Sequence, residues 1–241
     1  MWPFFCFYGG KWRAARHYPA PMHDRIFEPF AGAAGYSVRH HRRDVVLVEK
    51  DAQIAALWRY LIGATERDIL NVPLLAEGQG VEDMQADCAG ARYLVGFWLN
   101  KGSAVPCKSP SAWMRSGLRP GSFWGPEIRA RIASQVGAIK HWTIIEGDYT
   151  DAPDERGTWF IDPPYMKAGR HYRQSSAAID YKRLADWCRE RRGQVIVCEN
   201  DGARWLPFQF LAEIKATAGN SVSGRSREAV CLGQNMAAEF I

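Results

Sequence analysis

The chain has 241 residues, 47% of them hydrophobic and 12% aromatic, which excludes a disordered chain and predicts one α/β domain with an insertion or two small domains. No apolar run approaches the length of a bilayer span, so we expect a cytoplasmic protein with no membrane partner. The six cysteines are scattered without a C-x-x-C pair, which argues against both a metal site and a disulfide framework.

The net charge of +5 is unevenly distributed along the chain. Between positions 101 and 142 the single acid is Glu127, and it stands against the cations Lys101, Lys108, Arg115, Arg119, Arg129, Arg131 and Lys140. Such a segment is the electrostatic footprint expected for a phosphate backbone. A solvated basic face is the alternative, and charge alone does not decide between the two.

The chain opens with Tyr8-Gly9-Gly10-Lys11. Its two glycines let main-chain N–H groups and an ammonium converge on an anion or carboxylate. A short helix is predicted from Trp12 onward, and the prolines that begin at position 19 end it.

A strand, a glycine-rich turn and a helix follow, as in the first unit of a nucleotide-binding α/β sheet. The strand covers 26–30, and small residues in the turn 31–36 let a ligand approach the backbone. The next buried strand ends at Glu49, an acid placed to accept both hydroxyls of a ribose. Together these features indicate an adenosine-type cofactor. The alternative is that Glu49 and Asp51 cap the helix that starts at position 52.

Regular alternation of strands and helices fades between 62 and 139, where glycines and prolines leave loops around two predicted helices, 91–100 and 127–136. We interpret this segment as an insertion at the carboxyl edge of the sheet. Its cations are interleaved with aromatic residues, a pattern that suits a nucleic-acid backbone and base stack. Burial in a small core is the alternative for each of these rings, Trp113, Phe123, Trp124 and Trp142.

The parallel sheet resumes with a strand at 143–146, after which Asp148 is placed to accept from the amino group of a bound adenine. Another strand, 158–161, must end at the prolines of Asp162-Pro163-Pro164-Tyr165. These prolines fix the direction of two main-chain carbonyls beside the carboxylate, and a flat ring follows. The group suits the exocyclic amine of an unstacked base. The alternative is an ordinary strand exit, with aspartate and proline as turn formers.

The last third of the chain begins with a polar and basic stretch, 166–176, which predicts a loop over the site that contacts a second substrate. An amphipathic helix is predicted at 180–192 and a buried strand at 194–198. Two closing strands near 208–211 and 229–232 are joined, in this prediction, by a basic hairpin loop at 224–227.

The order of five motifs resembles the adenine-specific DNA methyltransferases of the Dam-like, alpha-ordered group. The motifs are FYGGK at 7–11, FEPFAGAAG at 27–35, Glu49, GDY at 147–149 and DPPY at 162–165. The resemblance covers both ends of the chain and not its middle. It implies an α/β fold with a Rossmann-like methyltransferase sheet and helices on both faces. It also implies a catalytic domain from 1–62 and 140–241, with a small inserted target recognition region at 63–139.

The resemblance implies S-adenosyl-L-methionine as the cofactor, bound by Phe7, Tyr8, Gly10, Lys11, Phe30, Gly32, Gly35, Glu49, Asp148, Tyr149 and Asp162. It further implies the catalytic residues Asp162, Pro163, Pro164 and Tyr165, of which the acid and the first proline carbonyl bind the target amine and the tyrosine stacks on the flipped base. The chain departs from the family pattern at Ala34, where the family usually has its second glycine, and at Glu49, which replaces the aspartate of some members.

The implied partner is double-stranded DNA, contacted by Lys108, Arg115, Arg119, Trp124, Arg129, Lys167, Arg170 and Arg173. We expect N6-adenine methylation with a short recognition site or almost none, no metal, and a monomer or weak dimer. The resemblance also implies a location in a bacterial cytosol or a phage-infected cell. Two alternatives remain: an RNA N6-adenine methyltransferase of the same fold, and a non-catalytic nucleic-acid-binding relic. A cytosine-amine enzyme is disfavoured, because that group usually has serine in place of Asp162.

Overall fold

The computed structural model describes residues 1–85, 88–117, 121–166, 176–215 and 225–233, without the side chains of Trp113 and Lys215. Within these ranges seven strands form one sheet: β1 (Arg25–Glu28), β2 (Asp44–Glu49), β3 (Thr143–Glu146), β4 (Gly157–Ile161), β5 (Gly193–Asn200), β6 (Gln209–Lys215) and β7 (Arg225–Leu232). The helices of the described ranges are α1 (Gly35–Arg39), α2 (Ala52–Gly63), α3 (Glu66–Leu70), α4 (Ala89–Trp98), α5 (Ala112–Arg115), α6 (Pro126–Val136) and α7 (Tyr181–Arg189).

The strands lie in the order β3-β2-β1-β4-β5-β7-β6, with β1 to β5 parallel. β7 runs antiparallel between β5 and β6. Both β1 and β4 are therefore central strands, and their carboxyl ends meet at one edge of the sheet. In open α/β sheets this edge is where ligands bind.

Side chains alternate between two apolar layers along the central strands, because successive residues of a strand face opposite sides. Trp159 stacks on Phe27 on one side, with ring centroids 4.2 Å apart, and Phe160 stacks on Tyr36 on the other at 4.3 Å. Helix α7 covers the first side and α2 the second. The prediction of a Rossmann-like α/β sheet with helices on both faces is confirmed.

The segment between α2 and β3 contains the two helices that the sequence predicts there, as α4 and α6. Helix α6 begins with a proline at its first position, where the missing N–H costs nothing. Trp98, Trp124 and Ile132 are buried in the same apolar cluster as strand residues of the sheet. The division into a catalytic domain and an inserted region stays a prediction.

Two local predictions are wrong. Instead of a helix from Trp12 to Pro19, a 3-10 turn of three residues forms at Ala14–Arg16. The basic residues predicted in the closing hairpin loop, 225–227, are the start of β7, paired with β6 through the ladder. In the part of the chain that the structure describes, no helix has the length and apolarity needed to cross a bilayer.

Candidate active site

The turn between β1 and α1 forms the floor of the site. Gly32 has a φ of +46°, which favours glycine, and a Cβ at this position would lie 3.1 Å from the ring of Phe7. Its N–H donates to Glu49 Oε2 at 2.8 Å, and its carbonyl accepts from Trp58 Nε1 at 2.8 Å. The turn is therefore tied to the end of β2 and to α2.

The departure from the family pattern at Ala34 has a structural counterpart. Ala34 has φ 46° and ψ 46°, the left-handed conformation that side chains disfavour. The glycine one place later is required for a different reason, since a Cβ on Gly35 would lie 2.3 Å from the backbone nitrogen of Trp12. A Cβ is therefore unfavourable at both positions 34 and 35, but only position 35 is glycine.

Glu49 ends β2 at the cavity and organises the loop around it. Its two carboxylate oxygens accept from the N–H groups of Gly32 and Asp51, the latter at 2.9 Å. Burial raises the pKa of Glu49 to about 7. Asp51, by contrast, is the N-cap of α2 and accepts from the Gln53 N–H at 2.9 Å. The capping alternative therefore holds for Asp51 and not for Glu49.

Asp148 and Tyr149 follow β3 on the other side of the cavity. Asp148 Oδ2 accepts from Lys50 Nζ at 2.8 Å. Burial raises the pKa of Asp148, but hydrogen bonds from Lys50 and Thr150 outweigh it, and the net pKa is lowered. The ring of Tyr149 stacks against that of Phe30, with centroids 5.4 Å apart. These groups offer a flat apolar wall beside an ionised carboxylate.

A cavity of about 410 Å³ lies at this edge of the sheet, within the size range of small-molecule sites. It is lined by all eleven residues that the sequence assigns to the cofactor: Phe7, Tyr8, Gly10, Lys11, Phe30, Gly32, Gly35, Glu49, Asp148, Tyr149 and Asp162. The lining also includes residues that the sequence did not mark, among them Glu28, Ile54, Ala104, Ile179, Asp180 and Arg183. Arg183 belongs to the first turn of α7, and no motif in the sequence signalled that this turn reaches the cavity.

Asp162 stands directly after β4, at the cavity. Lys11 Nζ lies 3.2 Å from its Oδ1 atom, at ion-pair distance. This oxygen is buried and has no hydrogen bond of good geometry from the residues that the structure describes. Burial raises the pKa of Asp162 to about 6, although the charge of Lys11 counteracts the rise.

The rest of the tetrapeptide is clamped by side chains from distant parts of the chain. Tyr181 donates its hydroxyl to the Pro164 carbonyl at 2.5 Å, and the Tyr165 hydroxyl donates to Glu228 Oε2 at 2.6 Å. No described residue donates to the Pro163 carbonyl. Pro164 lines the cavity with Asp162, whereas Pro163 and Tyr165 are buried outside its lining.

Tyr165 is 8% exposed, and Lys11 Nζ lies over its ring, 4.4 Å from the centroid. A stack of this ring on a flipped base stays a prediction. One further anchor follows the motif, because the N–H of Met166 donates to Glu199 Oε1 at 2.8 Å. Sequence analysis assigned no role in the site to Glu199 or Glu228, which come from β5 and β7.

The predicted DNA contacts fall into three groups. Lys108 and Arg115 are exposed, and Lys108 forms a surface ion pair with Glu82 at 3.4 Å. Trp124 is buried and donates to the Pro73 carbonyl, while the guanidinium of Arg129 donates to the Val72 carbonyl. These two positions favour structural roles. Outside the described residues lie Arg119, Lys167, Arg170 and Arg173.

Among the described residues, no group of three or more His, Cys, Asp or Glu side chains is placed to hold a metal ion. No protein-family model and no curated protein sequence matches the chain. A solved structure that the chain resembles is the crystal structure of the 23S rRNA methyltransferase ErmE, with 12% identity and a TM-score of 0.41, over 95% of this chain and 67% of that one. A likeness this distant leaves the geometry of the site as the basis for a functional proposal.

Proposed function

We propose that the protein transfers a methyl group from S-adenosylmethionine to the exocyclic amine of adenine in DNA. The observation that carries this proposal is the single cavity that brings together all eleven predicted cofactor residues with Asp162 among them. These residues come from five separate stretches of chain, and the fold of the sheet makes them neighbours.

The residues fit the proposed cofactor. Gly32 keeps the floor of the cavity open where a Cβ would crowd Phe7, and one buried oxygen of the Asp162 carboxylate has no hydrogen bond of good geometry from the described residues. Glu49 would hold the ribose hydroxyls, and Tyr149 with Phe30 would flank the adenine ring. Lys11 and Phe7 would lie near the methionine part. When bound, the cofactor supplies a methyl group on a positively charged sulfur.

Asp162 and the Pro163 carbonyl are the proposed acceptors for the target amine. Adenine's amino nitrogen is a poor nucleophile, because its lone pair is drawn into the ring. Accepting both N–H hydrogens biases the nitrogen towards sp³ and localises the lone pair. The Asp162 carboxylate also offsets the positive charge that grows on nitrogen. Fixed positioning of this kind contributes up to roughly 7–11 kcal/mol to catalysis.

The hydrogen bond from Tyr181 to Pro164 supports this assignment. It engages the second proline carbonyl and leaves the first one, that of Pro163, without a donor among the described residues. Proline fixes φ at both positions, which restricts the backbone on either side of the Pro163 carbonyl. Under this proposal the two acceptors are largely positioned before a substrate binds.

Basic side chains outside the cavity are the proposed contacts with the nucleic-acid backbone. Lys108 and Arg115 are exposed in the described structure, and we extend the proposal to Arg119, Lys167, Arg170 and Arg173 on their charge. We leave out Trp124, which is buried, and Arg129, which is half-buried, because both also donate to backbone carbonyls of the neighbouring segment.

Transfer of a labelled methyl group tests the proposal directly. Purified protein is incubated with labelled cofactor and, in parallel, duplex DNA, single-stranded DNA and structured RNA. We expect label in N6-methyladenine of duplex DNA. Label in RNA alone would favour an RNA N6-adenine methyltransferase over the DNA enzyme. If calorimetry shows that the protein does not bind the cofactor, a non-catalytic nucleic-acid-binding protein would be the remaining alternative.

The variant Asp162→Ala assigns the chemistry to the tetrapeptide. It should abolish transfer and retain measurable cofactor binding, because the cavity keeps its other lining residues. Asp186→Ala is the matched control, since Asp186 is exposed on α7 and pairs with Arg189 of its own helix. Unchanged turnover by Asp162→Ala would exclude the mechanism.

A further inference from the structure

Glu228 is a buried carboxylate that the proposed chemistry does not use. It lies on β7, is 5% exposed, and faces the tetrapeptide from the far side of β5. Its Oε2 atom accepts from the hydroxyls of Tyr165 at 2.6 Å and Tyr18 at 3.3 Å, and its Oε1 atom accepts from Ser226 at 2.8 Å. A buried carboxylate with donors on both oxygens is held in one orientation.

Lys11 stands between this carboxylate and Asp162. Its ammonium is 3.2 Å from Asp162 Oδ1 and 3.9 Å from Glu228 Oε2, and it lies over the ring of Tyr165. Lys11 is 7% exposed, so water screens these interactions little. The buried Lys11 ammonium is shared by two carboxylates, so the attraction of Glu228 weakens the ion pair between Lys11 and Asp162, and the reverse also holds.

We propose that Glu228 is a positioning residue, which draws Lys11 toward β7 and fixes the ring of Tyr165, so that the Asp162 carboxylate stays available to the target amine. The inference rests on the proposed function and names a further residue of the same site. Its geometric basis is the Oδ1 atom of Asp162, which is buried beside a lysine and still lacks a hydrogen bond of good geometry from the described residues.

The charge of Glu228 also influences the titration of Asp162. The negative charge of Glu228 adds to burial in raising the pKa of Asp162. Burial raises the pKa of Glu228 as well, but Lys11 and the tyrosine hydroxyls outweigh it, and the net pKa is lowered. Besides Glu228, the titratable groups that face Asp162 are Lys11, Glu28, Glu199, Tyr18, Tyr165 and Cys198.

Glu228→Gln removes the charge and keeps an acceptor for Tyr165. Of the two carboxylates that share Lys11, only Asp162 then keeps its charge, so Lys11 holds Asp162 more tightly and the target amine less readily reaches it. We therefore expect kcat to fall about tenfold or more while the KM for the cofactor changes less than about twofold. Loss of the Glu228 charge also favours ionised Asp162, so the acid limb of the rate profile moves to lower pH. Glu213→Gln on β6 is the matched control, because Glu213 pairs with Arg225 at the surface.

Carbon-13 NMR of labelled aspartate gives a readout that does not need turnover. The Asp162 signal, assigned with Asp162→Asn, should titrate at lower pH in Glu228→Gln than in the wild type and be unchanged in Glu213→Gln. An unchanged midpoint in Glu228→Gln, or wild-type kcat in that variant, overturns the inference. If the wild type transfers no methyl group, the proposed function fails, and the NMR midpoints still decide whether the carboxylates are coupled.

A second measurement covers the case in which Glu228→Gln does not fold. In the wild type, two carboxylates that share a cation titrate as a coupled pair, so the signal of each carries an inflection at the midpoint of the other. Such an inflection in the Asp162 curve supports the inference. A single-step Asp162 curve across the titration of Glu228 overturns it.

Discussion

Two regions of the molecule hold their charges in opposite ways. At the edge of the sheet, Lys11 is buried between Asp162 and Glu228, and the pKa of each carboxylate is shifted. In the basic segment 101–142, Lys108 is 83% exposed, and its partner Glu82 is exposed as well. Charges of the first kind act at short range on a defined atom, while those of the second kind act at long range and are screened by salt. Under the proposed function, the buried charges at the edge would act on the reacting groups, and the exposed charges of the segment would attract the nucleic-acid backbone.

Within the basic segment, the buried ring of Trp124 and the exposed charge of Lys108 are expected to contribute very differently to stability. Trp124 is 5% exposed and packs in the core, so Trp124→Ala should lower the free energy of unfolding by about 3–5 kcal/mol, through lost burial and the cavity left behind. Lys108→Ala should change it by less than about 0.5 kcal/mol, because its charge is at the surface. Urea denaturation measures both. If Trp124→Ala is as stable as the wild type but binds DNA more weakly, Trp124 contacts the nucleic acid instead of stabilising the core.

A substitution at Glu49 tests whether the cavity binds the proposed cofactor. Glu49→Gln keeps the size of the side chain and offers one strong acceptor fewer, so we expect cofactor affinity to fall by about 1.5–3 kcal/mol. Glu146→Gln is the matched control, since Glu146 pairs with Glu49 in the β2–β3 register and is exposed beside Arg59. Calorimetry measures both affinities. Equal losses in the two variants would contradict a specific role for Glu49.

Asp162 predicts how activity depends on pH. In the proposed mechanism Asp162 acts as a carboxylate, whose negative charge offsets the positive charge on nitrogen, and burial raises its pKa to about 6. We therefore expect kcat/KM to fall about tenfold per pH unit below that value and to level off above it. A profile that stays flat down to the ordinary pKa of aspartate would show that the buried carboxylate does not control the rate.

The exposed cations test the other half of the contrast. A double variant, Lys108→Ala with Arg115→Ala, should weaken DNA binding similarly for all sequences and reduce the slope of log affinity against log salt by about 2, if each contacts one phosphate. The kcat at saturating DNA should be unchanged, because neither residue lines the cavity. Arg156→Ala with Arg204→Ala, two exposed arginines outside the segment, is the control. An unaltered salt slope would leave the segment as a solvated basic face.

The sequence could predict much of the edge of the sheet because Glu49, Asp148 and Asp162 lie at or just after the carboxyl ends of three different strands, and parallel strands bring these ends together. Glu228 could not be found in the same way: it reaches Tyr165 because β7 inserts between β5 and β6, a pairing that local patterns do not encode. Trp124 shows a second limit, since alternating cations and rings look the same whether the rings face a core or a solvent surface.

A small effect is also expected at Ala34, where the family that the sequence resembles usually has glycine. Its left-handed backbone conformation strains a residue with a Cβ and does not strain glycine. Glycine also increases the entropy of the unfolded chain, which offsets part of the gain. We therefore expect Ala34→Gly to raise the free energy of unfolding by at most about 1 kcal/mol, whereas Gly35→Ala should be strongly destabilising, because a Cβ there meets the Trp12 backbone. Urea denaturation measures both. If Gly35→Ala changes the free energy of unfolding as little as Ala34→Gly does, the turn tolerates a side chain at either position.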